Sequence, residues 1–144
     1  MKRHPALVPL SNDHHHELVQ ARRLLRAADA STDERLAAGG VYAEAFFTDT
    51  VDHFRREEDG VFPLYATYAD AHDPLLARVL REHMELHGLA HALRAEVAAG
   101  AVSAETLREM GTLLHDHVRL EERELFEAVQ RVVPAAELDA LGRR

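Results

Sequence analysis

The sequence predicts an all-α protein, folded as an up-down-up-down four-helix bundle with a short C-terminal helix. Four long segments repeat apolar residues at the helical period, and no segment shows the alternation or the Asn-Gly turn of a β-hairpin. Short connections with helix start and stop signals separate these segments. The 144 residues suffice for one core, so we expect a single domain over residues 1–144.

Start and stop signals set the predicted bounds of the helices. Ser31 and Glu34 form a capping box at the start of the second helix, and Gly60 with Pro63 predicts its end or a kink. Asp73–Pro74 combines a cap with a proline suited to the first helical position. We expect helices over about residues 12–29, 33–59, 74–99 and 103–131, and a short one over about 134–141.

The composition excludes several classes of function. A formal net charge of −8 disfavours nucleic acid and anionic membranes as partners. The absence of cysteine excludes disulfides, iron–sulfur clusters and thiol catalysis. No apolar run is long enough to span a membrane and the N-terminus lacks an apolar signal core. We therefore expect a cytoplasmic protein that is a monomer or a weak homo-oligomer.

A ten-residue pattern occurs twice, at His53–Phe62 and at His117–Phe126. Both copies have a histidine, a Glu-Glu pair that begins four residues later, an aliphatic ninth residue and a phenylalanine at the tenth. Residues four apart are about 40° apart around a helix, so each histidine shares the apolar face with the first glutamate, Glu57 or Glu121. The second glutamate of each pair is predicted to face water.

The other two long helices also carry histidines on their apolar faces, among the 11 histidines of the chain. His83 and His87 lie one turn apart in the third helix. The first helix offers His14 or His15 as an inward-facing residue. A short repeat, in which His15-His16-Glu17-Leu18 matches His83-Met84-Glu85-Leu86, favours His15.

Five imidazoles and two carboxylates are therefore predicted to converge at one level of the bundle. Buried polar groups without partners cost roughly 1–3 kcal/mol each, against a typical stability of about 5–15 kcal/mol. A bundle without a metal ion would lose much of that stability, so the convergence predicts a metal site. Asp49, one turn before His53, is placed either at the surface or where it can hydrogen-bond that imidazole.

Ligand chemistry narrows the identity of the metal. Five nitrogen donors are too many for calcium or magnesium, and seven donors are too many for one tetrahedral zinc ion. Two octahedral ions offer about twelve positions, of which five histidines, two bridging carboxylates and a shared oxo or hydroxo group fill about eleven. The position left open, on the ion with fewer histidines, suits dioxygen, peroxide or nitric oxide. Spacing does not separate iron from manganese.

The combined pattern resembles the hemerythrin-like HHE cation-binding family over the whole chain. Members of that family fold as a four-helix bundle around a non-haem di-iron centre. The resemblance implies two oxo- or hydroxo-bridged iron ions, in preference to manganese or zinc, with Glu57 and Glu121 as bridging ligands. It implies terminal ligation by His15, His53, His83, His87 and His117.

One feature of the family bears on the ligand register in the fourth helix. Oxygen-carrying hemerythrins place the carboxylate five residues after the histidine, which here is Glu122. The bacterial HHE relatives place it four residues after the histidine, which here is Glu121. Helix geometry and the internal repeat favour Glu121.

The resemblance implies a protein that binds or senses dioxygen or a related oxidant, with a small diatomic molecule or peroxide as its partner. The alternative is an oxidoreductase that consumes peroxide or nitric oxide, or an iron storage or donor protein in a bacterial stress response. Whether the chain is an enzyme stays open. Ferritin-like storage is disfavoured because the sequence has no Glu-x-x-His motif.

Overall fold

A computed structural model describes residues 1–144 and confirms the all-α fold, which contains no strand. A short 3-10 helix, Pro5–Leu7, precedes the first α-helix. Three π-helical turns interrupt the long helices: π1 at Phe46–Thr50, π2 at Glu57–Val61 and π3 at Glu121–Leu125. The helices are α1 (Val8–Ala28), α2 (Thr32–Ala45), α3 (Val51–Arg56), α4 (Phe62–Tyr68), α5 (Pro74–Ala98), α6 (Ala104–Leu120), α7 (Phe126–Val132) and α8 (Ala135–Gly142).

These elements form four bundle helices: α1, the continuous α2–α4 segment, α5 and the continuous α6–α7 segment. α1 contacts α2 and α6, and α5 also contacts α2 and α6, so the neighbours close into a ring consistent with a bundle. Gly111 permits the close approach of α1 to α6, because a Cβ atom there would lie 2.9 Å from Leu25 Cγ and 3.1 Å from the Ala21 carbonyl oxygen.

Two helix bounds differ from those that the sequence predicted. α1 begins at Val8 rather than near residue 12, because Pro9 lies in the first turn, where its missing N–H has no partner to lose. The second bundle helix does not end near residue 59 but continues to Tyr68. Pro63 is tolerated because it lies in the first turn of α4, directly after the wider π2 turn.

The buried apolar residues form two clusters, one towards each end of the bundle. One cluster contains the buried apolar residues of α2 and the C-terminal half of α5, and the other contains those of α4 and the N-terminal turns of α5. In every bundle helix the change from one cluster to the other occurs at buried histidines and glutamates. A polar layer therefore crosses the interior between two apolar clusters.

None of the helices combines the length and the apolar character that a membrane crossing requires.

Candidate metal centre

The polar layer brings together four imidazoles and two carboxylates, each at most 2% exposed. The Nε2 atoms of the histidines point towards the carboxylates in the middle of the layer. His14 Nε2 lies 3.0 Å from His53 Nε2 and 2.9 Å from Glu121 Oε2. The members of this cluster, which we call the inner cluster, are His14, His53, Glu57, His83, His117 and Glu121.

Helical spacing places a histidine beside each carboxylate, as the two copies of the ten-residue pattern predicted. His53 Nε2 is 3.2 Å from Glu57 Oε1, and His117 Nε2 is 2.8 Å from Glu121 Oε1, both within one helical turn. His83, from the third bundle helix, lies 3.4 Å from Glu57 Oε1 and 3.2 Å from Glu121 Oε1. Each carboxylate therefore faces imidazoles from more than one bundle helix.

The inner cluster divides into two overlapping groups that could each hold a cation. The ligand atoms of each group lie within 4.8 Å of one another. Glu121 belongs to both groups. The first group is His14, His53, Glu57 and Glu121, and the second is His83, His117 and Glu121.

A π-helical turn follows each of the two carboxylates, starting at Glu57 and at Glu121. Nine residues of a regular α-helix turn through about 180°, which would direct the tenth residue away from the histidine. One extra residue in the turn reduces that angle to roughly 80° and brings the phenylalanine inward. Phe62 accordingly lies 5.5 Å from the His83 ring and Phe126 lies 5.2 Å from the His14 ring, between centroids.

Each histidine of the inner cluster has a carboxylate at its outer nitrogen. Because a carboxylate only accepts, each Nδ1 carries a proton, so that in the neutral imidazole Nε2 directs a lone pair inward. The four Nδ1–H groups donate to Glu122 (His14, 2.9 Å), Asp13 (His53, 3.0 Å), Glu58 (His83, 2.7 Å) and Glu82 (His117, 2.9 Å).

The interior of the cluster is consequently a set of acceptors without donors. The two Nε2 atoms of His14 and His53 face each other at 3.0 Å. Both carboxylate oxygens of Glu57, Oε2 of Glu121 and Nε2 of His117 have no hydrogen-bond partner. Buried acceptors of this kind are stabilised only by cations or protons, and imidazole with carboxylate is a donor set that suits transition metals.

Protons fill this role in the metal-free protein. Burial by itself would lower the pKa of each inner histidine, but the neighbouring carboxylates outweigh it. The charge of Glu57 and the Asp13 hydrogen bond raise the pKa of His53 to about 10. Hydrogen bonds to Glu121 and Glu57 raise the pKa of His83 to about 10. Metal ions therefore have to displace protons from the cluster.

The prediction that His15 points into the core is wrong. His14 is 1% exposed and belongs to the inner cluster, whereas His15 is exposed. The histidine run leaves the rotation of α1 about its axis undetermined, and adjacent residues differ by about 100°. Packing settles the rotation, since the His14 ring stacks on Phe126.

His87 lies outside both candidate groups. It is half-buried, one turn beyond His83, with its ring edge-on to Phe46 at 5.3 Å and to Phe54 at 5.8 Å. Burial lowers the pKa of His87, and no carboxylate of the inner cluster offsets that effect. The structure therefore gathers four inner histidines rather than five, and the expected imbalance between two ions disappears.

Sequence reasoning also missed the outer carboxylates. Glu58 is exposed, as predicted, and Glu122 is half-buried, but each also accepts a hydrogen bond from an inner histidine on another bundle helix. Asp13, rather than Asp49, orients His53, and Asp49 is exposed. The sequence offered only an ambiguous signal: an acidic residue directly precedes all four inner histidines, but of these four only Asp13 and Glu82 accept a hydrogen bond from an inner histidine.

The fold and the site together define a helical-bundle protein with a buried histidine–carboxylate site suited to cations. The sequence model of the Hemerythrin HHE cation binding domain matches residues 7–129, which is most of the chain. This chain therefore belongs to the hemerythrin HHE family. The match indicates a metal-binding protein, with iron as the usual metal of such domains, and the inner cluster fits a metal site. No curated protein and no solved structure matches the chain.

Proposed function

We propose that this protein is a non-haem di-iron protein that binds or senses dioxygen or a related oxidant. The observation that carries the proposal is the membership of Glu121 in both cation groups, which suits two ions held side by side. Iron bound there would supply one-electron redox chemistry and affinity for small oxidants. The ligands would be His14, His53, Glu57, His83, His117 and Glu121.

The number of donor atoms leaves coordination positions open for a further ligand. Four imidazoles and two bidentate or bridging carboxylates supply about eight donor atoms, whereas two octahedral ions have about twelve positions. With two histidines on each side, neither side is filled by nitrogen donors. The single vacancy expected from five histidines is thus replaced by unfilled positions on both sides.

The chain's own residues protect and orient such a centre. The outer carboxylates hold the histidines in one tautomer with the lone pair of Nε2 directed inward. Phe54 stacks on the His83 ring with 3.8 Å between centroids, and Phe126 covers the His14 ring. These apolar rings exclude bulk water from the inner faces of the imidazoles.

Metal analysis of protein purified without added metal tests the proposal, together with visible spectra in air and after anaerobic reduction. We expect about two iron ions per chain and a ferric spectrum that is lost on reduction and restored by dioxygen. One ion per chain, or zinc in place of iron, would contradict the proposal. Sustained peroxide or nitric oxide turnover that is absent in His53→Ala would identify the alternative, an oxidoreductase.

A further inference from the structure

A polar cavity of about 450 Å³ opens on one side of the inner cluster, between α1 and the α2–α4 segment. None of its lining residues is hydrophobic. Four of them are acidic, and Arg56 is the one residue with a permanent positive charge among them. The lining consists of Asp13, His16, Glu17, Gln20, Thr48, Asp49, Thr50, Asp52 and Arg56.

Glu17 is a buried carboxylate at this cavity that the inner cluster does not use. It follows His14 by three residues on the same face of α1, and it is only 4% exposed. Its Oε2 atom has no hydrogen-bond partner. Burial raises the pKa of Glu17, so an isolated negative charge there is costly and a nearby cation would offset that cost.

The wall of the cavity also touches the inner cluster directly. Asp13 lines the cavity and accepts the hydrogen bond of His53 Nδ1 at 3.0 Å. Arg56 donates to the same Asp13 carboxylate, and its Nε atom lies 3.3 Å from Oδ2 of Asp52, an exposed residue at the rim of the cavity. A path of carboxylates therefore leads from exposed Asp49 and Asp52 to buried Glu17 and to the His14/His53 side of the cluster.

We propose that this cavity is the route by which a divalent metal ion reaches and leaves the inner cluster, and that Glu17 is a transient ligand of the ion on that route. The inference rests on the proposed metal-binding function and adds a site that precedes the final ligands. Inner-cluster residues are at most 2% exposed, so an ion has to pass through the protein surface to reach them.

The chemistry of the lining favours a cation over a neutral oxidant. Carboxylates that outnumber the basic groups create a negative potential, which concentrates cations and accelerates their arrival. Carboxylate oxygens can replace water molecules in the coordination shell of a hydrated divalent ion. Dioxygen gains nothing from such a lining, because it carries no charge and has no dipole moment.

Metal uptake and release by the metal-free protein test the route. Anaerobic mixing with Fe²⁺, or with Co²⁺ followed by its visible absorption, gives the uptake rate, and a strong chelator gives the release rate. In Glu17→Gln, which keeps the shape and removes the charge, we expect both rates to fall about tenfold. The affinity and the final number of ions stay unchanged, because a group that acts only on the route changes both rates by one factor.

Matched variants separate the route from general charge effects. Glu109→Gln removes one charge from an exposed position of α6 and should leave both rates unchanged. The double variant Asp49→Asn/Asp52→Asn at the rim should slow uptake and weaken its dependence on salt. This rim variant tests the route even if Glu17→Gln folds poorly, and unchanged rates in it would then overturn the proposal.

Two results with Glu17→Gln would overturn the proposal. Uptake at the wild-type rate would show that ions arrive elsewhere, and loss of an ion from the loaded protein would show that Glu17 is a permanent ligand. Failure of the wild-type protein to take up either metal would instead contradict the proposed function itself. The two failures are therefore distinguishable.

Discussion

Each side of the inner cluster has two imidazoles and shares Glu121, but the surroundings of the two sides differ. The first side, His14 and His53, borders the polar cavity through Asp13, whose side chain is 34% exposed. The second side, His83 and His117, is covered by Phe54, whose ring lies 3.8 Å from His83 and 5.9 Å from His117 between centroids. On this side, Glu82 accepts the hydrogen bond of His117 Nδ1, and the Glu82 side chain is only 10% exposed.

The difference lies in how an ion would reach each side rather than in the imidazoles that would bind it. Both sides supply two imidazoles and share the Glu121 carboxylate, and Glu57 adds a second carboxylate to the first group only. Only the first side adjoins a charged cavity with an unpaired buried carboxylate. We therefore expect the first side to exchange its ion faster than the second. Variants on each side test this expectation.

The largest effect is expected from the carboxylate that both sides share. Glu121→Ala removes a donor from both groups, so we expect the metal content to fall from about two ions per chain to about none. Glu122→Ala removes the hydrogen-bond partner of His14 and the ion pair with Arg3, and it should keep two ions, with the ion at the first group bound more weakly. Elemental analysis of the two purified variants measures this; metal loss in Glu122→Ala alone would show that the ligand register is wrong.

The next effect should be confined to one side. His14→Ala removes a nitrogen from the first group only, so about one ion per chain is expected to remain, bound by the second group. His15→Ala is the adjacent control and should keep the full metal content, as should His87→Ala. Metal analysis in parallel checks all three; equal loss in His15→Ala would restore the assignment that the sequence favoured.

Removal of outer carboxylates should weaken binding without abolishing it. Asp13→Ala and Glu82→Ala each leave an inner histidine without its Nδ1 acceptor, which typically costs about 10–100-fold in metal affinity. We expect the greater loss in Glu82→Ala, because water from the cavity can replace Asp13 but not the less exposed Glu82. Competition with a chelator measures both affinities. Exposed Glu85→Ala is the control, and equal losses at Asp13 and Glu82 would remove the proposed difference between the sides.

The smallest effect concerns the stability of the metal-free protein at high pH. Protons stabilise its buried histidines, of which His53 and His83 have a pKa of about 10 and His117 of about 9. Because the pKa in the unfolded chain is about 6.5, this stabilisation is fully present below pH 6.5 and is lost as the pH rises through about 9 to 10. The Tm should fall by about 2–4 °C for each kcal/mol that is lost.

Thermal unfolding of metal-free and metal-loaded protein between pH 6.5 and 10 measures this effect. The loaded protein should show a flatter profile, because metal ions replace the protons on Nε2. A metal-free protein whose Tm rises over that range would contradict the protonated cluster.

The sequence alone determined the bundle and the two histidine–glutamate pairs of the inner cluster. Four amphipathic segments with caps define the helices, and the spacing of His53 to Glu57 and of His117 to Glu121 fixes which carboxylate shares the face of each histidine. These relations lie within one helical turn, so they hold before any helix packs. The local register therefore predicted both inward carboxylates, and the structure places both inside.

Only the tertiary structure decided how the helices are rotated and shifted against one another. It turned His14 rather than His15 inward, and it left His87 one turn outside the cluster. It also paired Glu58 and Glu122 with histidines of other helices, which no single-helix projection contains. Helical periodicity gives angles within a helix, whereas rotation and level between helices follow from the packing of the two apolar clusters around the polar layer.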